Sequence, residues 1–97
     1  MKRNLKIIVK KIKGKCPAFK EGATFYIYNG YLLKSDILLC LHALSSLIPY
    51  YVALSRGVKP EDLGLGKNNK AYVQCLDPCE NTGGGTVVFE IHIENSQ

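Results

Sequence analysis

The first fifteen positions contain no acidic residue, although they hold seven lysines and arginines. The rest of the chain holds six basic and eight acidic residues, so the formal excess of +5 is concentrated at the N-terminal end. Apolar residues there never run together long enough for a secretory signal, because lysines interrupt "MKRNLKIIVKKIKGK" throughout. The expectation is a cytoplasmic protein with free thiols in a reducing compartment. No C-x₂-C pair is present, the spacing by which zinc and iron–sulfur sites usually announce themselves. No Ser–His–Asp order, paired-carboxylate motif or H-E-x-x-H pattern is found either. Internal repeats and extended low-complexity tracts are likewise absent.

What remains fits one domain, residues 1–97, with an ordinary 46% hydrophobic and 22% charged content. Leu5–Ile12 reads as a strand, with Leu5, Ile7 and Val9 on one face and Lys6 and Lys10 on the other. Thr24–Tyr28 and Tyr31–Leu33 read as a hairpin about Asn29-Gly30, a dipeptide suited to a type I′ turn. "VKPEDLGLGKNN" reads as a loop with one helical turn at Pro60–Leu63. Ala71–Leu76 and Thr86–Glu94 complete the strands, and "TGGGT" between them reads as a flexible turn. The predicted class is α+β: a small, mostly antiparallel sheet of four or five strands under one long central helix.

Ile37–Ser55, "ILLCLHALSSLIPYYVALS", is nineteen residues without a formal charge. Length alone would let it span a bilayer. A span, however, would strand two or three short strands on either side, too few for a stable sheet. At 100° per residue, Ser45, Arg56, Pro49, His42, Ala53 and Ser46 fall on one stripe. Leu54, Leu47, Cys40, Tyr51, Leu44, Ile37, Ile48, Leu41 and Val52 fall on the opposite arc. This pattern predicts an amphipathic core helix and no membrane span. Ser35 or Asp36 should cap it, Arg56-Gly57 should end it, and Pro49 should kink or split it.

Four cysteines, Cys16, Cys40, Cys75 and Cys79, are the main candidates for chemistry. At Cys40 a helix N-terminus would favour a thiolate and apolar burial would oppose it. Buried structural thiols are the more ordinary reading, since cysteine is among the most buried residue types. A metal site on Cys16, Cys40, Cys75 and Cys79 would rest on a single C-x₃-C, so its spacing is weak. His42 on the polar stripe and His92 between Glu90 and Glu94 are candidate bases or ligands. Six tyrosines beside a lysine-rich strand raise the alternative of a non-catalytic nucleic-acid module, or an accessory subunit for a protein partner.

"CPAFKEGATF", "CLHALSSLIPYYVALSRG", "CLDP" and "VVFEI" together resemble a family of short prokaryotic conserved hypothetical proteins. The resemblance covers nearly the whole chain. It rests on Cys16, Pro17, Gly22, Phe25, Cys40, Ala43, Gly57, Cys75, Asp77, Phe89 and Ile91. Leu41 and His42 stand where members often carry an aromatic residue, and Cys79 is an addition. The family carries no established activity. The resemblance implies that Cys16, Cys40 and Cys75, from three separate elements, belong to a shared pattern with Asp77. The expectation is therefore a homo-oligomer with a cysteine-lined pocket for a metal, a small ligand or thiol redox chemistry, centred on Cys16, Cys40, Cys75, Asp77 and His42.

Overall fold

A computed structural model describes residues 3–94. The sequence alternation translates into strands β1 (Asn4–Gly14), β2 (Thr24–Tyr28) and β3 (Leu32–Lys34), then β4 (Gly66–Lys67), β5 (Lys70–Gln74) and β6 (Gly85–Glu94). Helix α1 (Leu41–Ser55) and a 3₁₀ turn at Pro60–Leu63 lie between β3 and β4. The class is α+β as expected, with six strands among the described residues rather than four or five. The additional strand, β4, pairs with β5 across Asn68-Asn69, both at positive φ (55° and 67°). Asparagine tolerates that conformation, so a segment that reads as loop closes into a tight hairpin.

Strand order is β3-β2-β1-β6-β5-β4, and every pairing is antiparallel. The first and last strands therefore form the centre of the sheet, and α1 carries the chain from one edge to the other. Leu5, Ile7, Val9, Phe25, Ile27, Ala71, Val73, Val87, Phe89, Ile91 and Ile93 are buried in one core. Phe19, from the loop after β1, closes over it, its ring edge-on to Phe89 at 5.6 Å. A bulge between Val9 and Lys11 shifts the register of β1 against β6. Beyond it Ile12 pairs with Val87, so an apolar residue again faces inward after two lysines.

Two expectations about the helix need correction. It begins at Leu41, with Cys40 as N-cap, and neither Ser35 nor Asp36 caps it. Ser35 instead closes its own turn: its hydroxyl donates to the Ile37 carbonyl (2.7 Å) and accepts the Ile37 N–H (3.1 Å). The buried face is Ala43, Ser46, Leu47, Leu54 and Ser55, rather than the wholly apolar arc. Relative to that arc the helix is turned by roughly a quarter of a revolution at 100° per residue. Ser46 and Ser55 can face inward because their hydroxyls donate to the Ala43 and Val52 carbonyls. Leu41, Ile48 and Val52 are left exposed. Pro49 lies inside a continuous helix and does not split it, and the helix ends at Arg56 and Gly57 (φ 98°) as expected.

Candidate functional site

The loop after β1, the start of α1, the exit of β5 and the start of β6 meet at one end of the helix. Between them is a cavity of about 220 Å³. Its walls are Lys15, Cys16, Pro17 and Ala18 from the loop, Cys40 and His42 from the helix, Cys75 and Asp77 beyond β5, and Gly84 and Gly85 entering β6. Cys16, Cys40, His42, Cys75 and Asp77 thus share one pocket, although up to 61 positions separate them in sequence. All four cysteines are free and half-buried.

Backbone pairing explains this convergence. The Cys75 N–H donates to the Val87 carbonyl (2.9 Å), which extends the β5–β6 ladder and keeps Cys75 in the inward series with Ala71 and Val73. Lys15 N–H donates to the Gly84 carbonyl (3.2 Å), fastening the Cys16 loop to the start of β6. Cys40 reaches the pocket because the helix starts there, four residues later than its apolar run suggests.

The glycine run is a packing device, not the flexible turn expected from its composition. A Cβ on Gly85 would lie 2.5 Å from the Lys15 carbonyl carbon and 2.6 Å from the Cys16 nitrogen. A Cβ on Gly84 would lie 2.6 Å from Asp77 Oδ2. Both glycines therefore let the pocket walls approach closely. Asp77 accepts a hydrogen bond from the Thr82 hydroxyl and another from the Cys79 N–H (2.8 Å). Those bonds, the Thr82 hydroxyl foremost, hold its carboxyl below the usual range, and the nearby His42 acts in the same direction.

Cys79 is not part of the pocket wall. Its Sγ lies 3.6 Å from the carbonyl oxygens of both Lys13 and Gly84, and its backbone sits at φ 62°. Among the described residues no three His, Cys, Asp or Glu side chains are placed to hold a metal ion. The pocket thus collects three thiols, an imidazole and a carboxylate as lining groups, without a ready-made ligand cage.

His92 turns out to have a different role from a lone surface histidine. On the outer sheet face, Glu90 is only 5% exposed. It accepts from the Tyr72 hydroxyl (2.8 Å), contacts His92 Nε2 at 2.5 Å and faces Lys10 Nζ at 3.6 Å. The His92 and Tyr72 bonds bring the Glu90 carboxyl down to about 2, with Lys10 adding to the effect. Strand alternation shows that these residues share a face, but only the pairing register reveals that they touch. A larger cavity, about 460 Å³, lies between α1 and β5, lined by Ser45, Pro49, Tyr50, Leu65 and Tyr72 among others. It contains no cysteine, histidine or carboxylate.

No protein-family model, curated protein or solved structure matches the chain.

Proposed function

We propose that the chain is a small binding protein whose thiol pocket takes a compact, soft ligand. The carrying observation is that Cys16, Cys40 and Cys75, from three separate elements, line one cavity together with His42 and Asp77. At about 220 Å³ the space is below the ~300–1,000 Å³ of sites for larger organic ligands. Soft thiol sulfur selects soft metal ions and electrophiles. Among the described residues no three His, Cys, Asp or Glu side chains are placed to hold a metal ion, and the ligand favoured is a small electrophile. A reducing cytoplasm would keep these thiols free.

Thiol counting and elemental analysis on anaerobically purified protein test the reading. Four reduced thiols are expected, with at least two pocket cysteines alkylated by a neutral reagent before unfolding. A pocket whose thiols react only after denaturation would make them structural. Stoichiometric metal would replace the electrophile by a metal ion.

We also infer that the protein acts as a homodimer through the apolar strip of α1. Leu41, Ile48 and Val52 of α1 are exposed, and Ile48 lines an apolar groove with Leu33, Leu44, Leu47 and Tyr51. Leu41, Ile48 and Val52 lie within about 40° of one another around α1 at 100° per residue and are 76%, 60% and 49% exposed, an apolar stripe that a second copy would cover. Light scattering should give a dimer that Leu41→Glu dissociates; a wild-type monomer at high micromolar concentration would contradict it.

A further inference from the structure

The outer face of the sheet carries charge of nearly one sign. The register places Lys34, Tyr26, Lys6, His92, Lys70 and Lys67 opposite one another in a single row across all six strands. At about 4.8 Å between strands the row extends roughly 24 Å. Beyond the bulge, Lys11 and Lys13 pair with Val88 and Thr86 on the same face, and Lys10 reaches it through Glu90. This face therefore has seven lysines, Lys6, Lys10, Lys11, Lys13, Lys34, Lys67 and Lys70, against three acids, Glu90 and Glu94 on β6 and Glu80, whose carboxylate lies 3.8 Å from Lys13 Nζ. The difference is four positive charges, most of the chain's formal net charge of +5. Two of the three acids are already engaged, Glu80 with Lys13 and Glu90 with Tyr72, His92 and Lys10.

Aromatic surface accompanies the charge. Tyr26 lies in the cationic row, and Tyr28, two positions on, stacks on it with ring centroids 5.6 Å apart and planes 13° from parallel. Both rings are half-buried, which fixes them as a platform and still leaves each accessible. Ordinary solvent-facing strands mix both charge signs, and they do not gather most of a protein's excess charge beside stacked aromatics.

We propose that this face binds single-stranded nucleic acid, with the phosphates following the lysine row across the strands and a base stacking on the Tyr26–Tyr28 pair. Lysines arranged over one face neutralise backbone phosphates, and an aromatic platform accepts any base by its π-face. A duplex keeps its bases stacked internally and offers nothing to the tyrosines, so single strands are preferred. The surface lies opposite the helix and does not use the thiol pocket, so either proposal can fail without the other.

Fluorescence anisotropy with labelled RNA and DNA single strands about ten nucleotides long tests this. Binding should weaken on the order of fifty-fold between about 50 and 200 mM salt, as displacement of counterions from about four phosphates requires. Lys6→Glu combined with Lys70→Glu should abolish binding at the higher salt, and Tyr26→Ala should weaken it about tenfold. Lys59→Glu, on the loop after α1, should leave it unchanged. Circular dichroism establishes that each variant is folded. The proposal is overturned by absence of binding at low salt. It is also overturned if Lys59→Glu matches the row variants, if duplex binds as well as single strands, or if only anionic vesicles bind.

Discussion

Gly85 shows at single-residue scale how the pocket is built. Its absent Cβ leaves room for the Lys15–Cys16 backbone, which cannot withdraw as a side chain could. Gly85→Ala should cost about 2–3 kcal/mol and disturb the reactivity of Cys16. Gly83 has φ +74° and nothing within 4 Å, so Gly83→Ala should cost only the left-handed penalty, about 1–2 kcal/mol. Equal thermal melts for the two variants would refute the close-approach argument. Glu90 makes a second residue-scale prediction. Its carboxyl is lower in the fold, about 2, than its ordinary 4.5, so the stabilisation is present above 4.5 and is lost as pH falls towards 2. The full difference would be worth about 3 kcal/mol, but on an outer sheet face solvent screening reduces it to about 1 kcal/mol. Glu90→Gln should remove that part of the acid dependence in urea titrations at pH 5 and pH 3. An unchanged difference between the two pH values would assign the loss to other carboxylates.

The elements differ in how openly the sequence declares them. Thr24–Tyr28, the Asn29-Gly30 turn and the Pro60–Leu63 turn are readable because local chemistry decides them. The helix start is not. Ile37, Leu38 and Leu39 continue the apolar pattern, yet the chain becomes helical only where Ala43 and Leu47 can meet the sheet. Its rotation is equally hidden, because Ser46 and Ser55 satisfy their hydroxyls within the helix and so pass as core residues. The β1 bulge depends on how β1 and β6 pair, which local pattern does not encode. A cysteine-lined pocket is among the readings the sequence allows, but the way its walls close is not: Gly84 and Gly85 look like turn formers until the strands are paired. Pro49 gives the element-scale prediction. It has no N–H to offer the Ser45 carbonyl, and it lies on the exposed side of α1. Pro49→Ala should stabilise the protein by about 1–2 kcal/mol in denaturant melts, less than the full interior-proline penalty because the surrounding turns have already adapted. A destabilised variant would show that the proline shapes the helix to fit the sheet.

Across the whole molecule, three surfaces have separate characters. The helix side exposes an apolar strip, the outer sheet face holds most of the net positive charge, and one end of the helix closes the thiol pocket. Among the described residues no helix is long and apolar enough to cross a membrane. The polar stripe that argued against a span is only partly the solvent face, since Ser46 turned inward and Leu41 outward. The separation of surfaces predicts that changes on the lysine row leave thiol reactivity intact. The central claim, that Cys16, Cys40 and Cys75 act as one site, is tested most directly with a trivalent arsenical. Such a reagent condenses with two neighbouring thiols, forming two arsenic–sulfur bonds and releasing water. One equivalent should bind per chain and protect at least two of Cys16, Cys40 and Cys75 from alkylation, with Cys79 still labelled in peptide mass spectrometry. Failure to bind, or protection that leaves all three pocket cysteines labelled, would contradict the claim.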